Sequence, residues 1–270
     1  MWSTPAPPCL AQRKSVKGPP PTFAKPPPRR VASAARLASL GIGAAMAVFA
    51  GALCPVARAQ VAASVSLDSD DRLRGVSLSD GRPVATLALA YDAPDGVYGG
   101  ASGAATQTSH DGPQPLSYVV YLGYAGSLGP GASWDVGVTN SSVAAYADRT
   151  YVSHYTEIYA GFTRGELSGH IYYSPRYLFG AQTIYLELDG THRLGDHWRL
   201  AGHVGLLTPL SRSGDASMDA ERVDLRAGLV REFKHCELRL ALTSTAPAPV
   251  YPIGDRQART AVVAGLGYFF

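Results

Sequence analysis

From Gln60 onward, apolar and polar residues alternate with a period of two, and almost no stretch carries a helical period. The alternation predicts about twelve strands. They fall at roughly 62–75, 84–93, 96–106, 116–127, 132–143, 150–163, 166–175, 182–194, 197–207, 220–233, 236–245 and 258–270. On nearly every strand the charges and the large aliphatic residues take opposite faces. In the first, Ser66, Asp68, Asp70, Arg72 and Arg74 oppose Val65, Leu67 and Leu73. Further on, Val136 and Val138 oppose Asp135, and Leu186 and Leu188 oppose Glu187 and Asp189. Leu200 and Val204 oppose Arg199 and His203; Val223 and Leu225 oppose Arg222, Asp224 and Arg226; Leu238 and Leu240 oppose Glu237 and Arg239. One wet face per strand suits a half-exposed soluble sheet or a barrel with a polar lumen.

The connections separate these two. Compact ones, Pro94-Asp95-Gly96, Gly126 to Gly131, Arg164-Gly165, Gly195-Asp196 and Lys234-His235, alternate with mostly longer ones at 76–83, 107–115, 144–149, 176–181, 208–219 and 246–257. Short turns at one end and longer loops at the other is the pattern of an outer-membrane barrel with both termini inside. Tyr91, Tyr98, Tyr118, Tyr124, Trp134, Tyr151, Tyr173, Trp198 and Tyr268 stand near strand ends, where aromatic residues fit the two membrane-interface girdles. In the last strand, Val262, Ala264, Leu266, Tyr268 and Phe270 share a face expected to meet lipid. Leu266, Tyr268 and Phe270 are the expected signal for the barrel assembly machinery. The expected fold is all-β: a transmembrane antiparallel up-and-down β-barrel over residues 60–270.

Residues 1–59 break this pattern. They are rich in proline and basic residues, and Arg29, Arg30 and Arg36 precede an apolar run from Leu37 to Leu53. Ala57-Arg58-Ala59 then forms a small-x-small box, so the segment is expected to be a leader with a signal peptide cut near Ala59. The expected location is the bacterial outer membrane. All eight leader charges are Lys or Arg, so the rest of the chain keeps 16 basic and 21 acidic residues, a net charge of −5 rather than the +3 of the whole. The pI of about 8.7 is thus a property of the leader, and a nucleic-acid partner finds no support. The lone Cys236 after the leader allows no disulfide within the barrel.

The stretch Ser69-Asp70-Asp71-Arg72-Leu73-Arg74-Gly75-Val76-Ser77-Leu78-Ser79-Asp80-Gly81 resembles the opening signature of the TorF family of porins. The resemblance continues at Gly96 to Gly100, Tyr121 to Tyr124, Tyr155 to Tyr159, Tyr172 to Pro175, Tyr185 to Glu187, and the aromatic terminus. It implies an outer-membrane barrel and a pore, and it names no solute.

No Gly-x-Ser-x-Gly elbow accompanies His154, His170, His192, His197 and His203, so no catalytic residue is assigned. Neither a paired-cysteine nor a helical histidine motif is present, so no metal and no cofactor is expected. The charged inner faces are the candidate chemistry. Asp68, Asp70, Arg72, Arg74, Asp135, Glu157, Glu187, Asp189, Arg199, Arg222, Asp224 and Arg226 are the expected pore-lining residues. The leading expectation is a porin for passive passage of small polar or ionic solutes. Its partners would be outer-membrane lipid, the assembly machinery and the solutes. The alternatives are a closed structural or adhesive barrel whose loops 208–219 and 246–257 meet a partner, and a barrel enzyme acting on lipid.

Overall fold

The computed structural model describes residues 60–108, 112–145, 148–212, 219–247 and 260–270. The expected leader, and much of the expected loops 208–219 and 246–257, lie outside the described residues. The strands are β1 (Gln60–Asp68), β2 (Arg72–Leu73), β3 (Val76–Ser77), β4 (Val84–Asp92), β5 (Val97–Thr108), β6 (Gly112–Gly129) and β7 (Ala132–Ala145). They continue as β8 (Asp148–Arg164), β9 (Leu167–Ser174), β10 (Thr183–Arg193), β11 (Trp198–Pro209), β12 (Arg222–Glu232), β13 (Cys236–Ala246) and β14 (Thr260–Phe269). All but β2 and β3 form a closed antiparallel barrel of twelve strands in chain order. β1 closes it, with Leu67 opposite Leu266 of β14 on one side and Ala85 of β4 on the other. Closure gives each of the twelve barrel strands a partner on both sides, as a sheet in hydrocarbon requires.

The alternation sets the two surfaces. Leu89, Leu122, Ile158, Leu188, Leu240 and Leu242 each expose half or more of their surface outward. A continuous aliphatic belt of this kind is foreign to a soluble monomer, which rarely exposes apolar patches beyond a few hundred Å²; it is the lipid face of a barrel. At the short-turn end, Tyr124 meets Trp134 with ring centroids 6.0 Å apart, Tyr268 meets Phe270 at 4.9 Å, and Arg231 stacks on Trp198 at 5.3 Å. Leu266 and Tyr268 on β14, and Phe270 just beyond it, are all exposed, while Val263 is buried inward.

Three expectations change. The first strand ends at Asp68 rather than near residue 75; residues 69–83 turn into the barrel and carry the small hairpin β2–β3. Tyr98 is no girdle residue: it is 4 % exposed and bonds Asp135 inside the barrel, because its register places it on the inner face of β5. Most of the loops expected at 107–115 and 144–149 are strand, since β5, β6, β7 and β8 run on through those positions. The Tyr151 side chain lies outside the described ones.

Candidate functional site: a hairpin in a charged lumen

After Asp68, the Ser69 N–H donates to the Ala264 carbonyl at 2.8 Å, and the chain then leaves the wall. Arg74 and Gly75 have φ of 50° and 78°, a pair of left-handed residues that makes the tight turn between β2 and β3. Asp80 and Gly81, with φ of 56° and 69°, turn the chain back toward β4. One carboxylate holds the fold of this segment. Asp70 accepts from Arg72 Nε at 2.7 Å, Ser77 Oγ at 2.5 Å, Ser79 Oγ at 2.8 Å and the Gly81 N–H at 3.2 Å.

The hairpin crosses the lumen. On one wall Gly75 presses against β12 and β13, so closely that a Cβ there would lie 2.7 Å from Thr245 Cβ and 2.9 Å from Asp224 Cβ. On the opposite wall Arg74 Nη2 donates to both Glu157 oxygens on β8, at 2.8 and 3.0 Å. β13 and β8 stand five places apart in the ring of twelve, nearly across from each other. The guanidinium also lies 4.0 Å from the Tyr185 ring centroid and 4.7 Å from that of Tyr177. Burial pulls the Arg74 pKa down, but Glu157 together with Tyr177, Tyr155 and Tyr185 outweighs it and leaves the pKa above its ordinary value. Past the turn, Leu78 joins a buried cluster with Val84, Leu116, Val143, Tyr155, Tyr177, Leu178 and Leu207 toward the loop end.

Beneath the hairpin is a cavity of about 420 Å³ whose lining carries seven carboxylates and four guanidinium groups. Their pairing is extensive. Arg239 bonds Asp68 at 2.8 Å and Glu237 at 3.0 Å. Arg199 bonds Glu232 at 2.8 Å and reaches Glu237 at 3.4 Å. The Tyr98 hydroxyl donates to Asp135 at 2.8 Å, and the Tyr172 hydroxyl to Glu187 at 3.0 Å. His203 lies between Asp189 at 2.9 Å and Asp224 at 3.0 Å, and Arg226 approaches Asp189 at 3.8 Å.

The sequence-derived candidates thus separate into two groups. Asp68, Asp135, Glu157, Glu187, Asp189, Arg199, Arg222, Asp224 and Arg226 sit on barrel strands with their side chains inward. Asp70, Arg72 and Arg74 do not stack along β1; they belong to the hairpin, where Asp70 and Arg72 spend their hydrogen bonds shaping it. The strand pattern put Tyr185, Glu237 and Arg239 on the polar face, but it did not single out the inward tyrosines Tyr98, Tyr121, Tyr155, Tyr159 and Tyr172. The signal was available for Tyr98, Tyr121, Tyr159 and Tyr172, each of which adjoins an aliphatic residue; Tyr155 stands between His154 and Thr156.

Among solved structures the chain is similar to a KdgM porin at 12% identity, covering 77% of this chain and 99% of that one with a TM-score of 0.49. It is similar to the NanC porin at 11% identity, 77% and 99% coverage and a TM-score of 0.47. The translocator domain of autotransporter NalP from Neisseria meningitidis matches at 13% identity, 78% and 88% coverage and a TM-score of 0.39. No curated protein matches. Residues 52–249 match the family described as "Bacterial protein of unknown function (Gcw_chp)", and the chain belongs to that family.

Proposed function

We propose that this chain is an outer-membrane porin, exported by a leader cut near Ala59, that passes small polar or ionic solutes through a lumen narrowed by the 69–83 hairpin. The observation that carries the reading is the hairpin itself. A segment bearing Asp70, Arg72 and Arg74 is laid across a charged interior, inside a barrel whose outside is aliphatic. Charges of both signs in a confined lumen set ion preference. With seven carboxylates against four guanidinium groups on the cavity wall, the preference is for cations. The pore-lining roles of Asp68, Asp135, Glu157, Glu187, Asp189, Arg199, Arg222, Asp224 and Arg226 belong to this reading, with Asp70, Arg72 and Arg74 acting from the hairpin. The likeness of Ser69 to Gly81 to the TorF porin signature agrees with it.

Liposome swelling tests it. Vesicles containing the mature barrel should admit a small cationic solute faster than an anionic one of the same size and exclude large sugars. Equal rates to protein-free vesicles would overturn the reading.

A second reading rests on the cluster around Leu78. If hairpin and cluster fill the loop end completely, the barrel is closed and serves as a scaffold for its loops, and swelling occurs only after the hairpin is removed. Under either reading Leu266, Tyr268 and Phe270 act in assembly. Deleting Phe270, which stands 4.9 Å from the Tyr268 ring, should lower outer-membrane yield severalfold by immunoblot and leave the flux per folded barrel unchanged. Unchanged yield would count against this role.

A further inference from the structure

Two histidines on the cavity side of the barrel are held in the same way, and neither is used by the porin reading. His170 of β9 is the direct cross-strand partner of Glu187 on β10, and His203 of β11 is the direct partner of Asp189 on β10. Glu187 and Asp189 are two residues apart on one strand, so both project inward. Each imidazole has a carboxylate behind it. His203 Nε2 is 3.0 Å from Asp224 Oδ1, and His170 Nε2 is 3.4 Å from Asp135 Oδ1. Each turns its Nδ1 toward the central pair: His203 Nδ1 is 2.9 Å from Asp189 Oδ1, and His170 Nδ1 is 3.6 Å from Glu187 Oε1.

The second nitrogen is the telling one. The His170 side chain is only 4% exposed, and its Nδ1 has no hydrogen-bond partner. An orphaned buried ring nitrogen is costly unless something else binds it. Its ring is seated over Gly161, where any Cβ would collide with it, so the orientation is built into the wall. Ligand atoms of Glu187, Asp189 and His203 all lie within 4.8 Å of one another. Ligands held about 2.0–2.2 Å from an ion stand about 3–3.5 Å from each other, and His203 Nδ1 and Asp189 Oδ1 already stand 2.9 Å apart. A carboxylate on the outer nitrogen of each ring is also the usual support of a metal-binding histidine.

We propose that His203 Nδ1, Asp189 and Glu187 bind a divalent transition-metal ion on the lumen wall, with solvent completing its coordination and His170 standing beside Glu187. Imidazole with carboxylate suits zinc, cobalt or nickel better than calcium or magnesium. The ion takes the place of the proton on His203 Nδ1, which leaves to solvent. Four carboxylates surround the place, Asp135, Glu187, Asp189 and Asp224, and Arg226, 3.8 Å from Asp189, is the cation an arriving ion displaces. Asp189 is the most exposed of the three central ligands and opens the site to the lumen. Asp224 is a positioning residue; it also underlies Gly75, so the site abuts the hairpin.

The test uses the folded mature barrel in detergent, stripped with a chelator and titrated with Co²⁺ alone. Visible absorption follows coordination, and metal analysis after gel filtration gives the stoichiometry. One Co²⁺ per chain is expected, with absorption stronger than that of the aqueous ion. His203→Asn should weaken binding at least about tenfold, and Asp224→Asn about 10–100-fold, in protein whose migration still shifts on heating. The proposal is overturned if folded wild-type protein retains no stoichiometric Co²⁺, or if the folded double variant His170→Asn/His203→Asn binds it unchanged. Where a variant does not fold, the wild-type titration decides alone. None of these outcomes depends on whether the barrel conducts.

Discussion

Replacing residues 69–83 by Asn-Gly is expected to raise single-channel conductance severalfold. Asp68 and Val84 are direct partners across β1 and β4, so a two-residue turn can join them without moving either strand. The excision removes the segment that reaches from Thr245 to Glu157. It also withdraws Leu78 from the cluster at the loop end. Bilayer recordings of the excised and intact barrels, each checked for heat-shifted migration, make the comparison. Equal conductance would mean the hairpin does not set the narrowest passage.

Arg74→Ala is expected to release the hairpin without opening the strands. Arg74 and Glu157 side chains are 7% and 5% exposed, and removing one partner of so buried a pair leaves the other charge uncompensated. Such losses cost about 3–5 kcal/mol. The barrel ladders do not involve Arg74, so the loss falls on the hairpin. Trypsin should then cut after Arg72 in the folded variant and leave the intact protein whole at that bond. An arginine stays protonated throughout trypsin's alkaline working range, so the latch holds and the intact hairpin should resist the enzyme across it. A folded Arg74→Ala variant that is as resistant as the parent would contradict the latch.

The barrel was legible from period-two alternation because that pattern reports one thing well, which side of a strand is wet. Twelve strands, the short turns and the outward face of β14 all follow from it. The same rule misread residues 69–75. Asp68, Asp70, Arg72 and Arg74 alternate as a strand would, yet Arg74-Gly75 and Asp80-Gly81 are turn pairs. Asp70 finds donors in Ser77, Ser79 and Gly81 rather than along a ladder. Asp80-Gly81 falls in the connection expected at 76–83, whereas Arg74-Gly75 lies inside the alternating stretch and turns it. The metal candidates were out of reach for a different reason. His170, Glu187, Asp189 and His203 are brought together by the register of β9, β10 and β11, which spacing along one strand does not encode. Tyr98 shows the limit of placing aromatics by position alone: it stands near a strand end, but its parity turns it inward onto Asp135.

A lipid-embedded barrel with a polar, constricted passage must conduct ions. Planar-bilayer recording of purified protein under a KCl gradient tests it most directly. Stepwise currents of small, uniform size are expected, with a reversal potential displaced toward that of potassium. A bilayer that stays silent with protein shown to be folded, or a reversal potential on the chloride side, would contradict it.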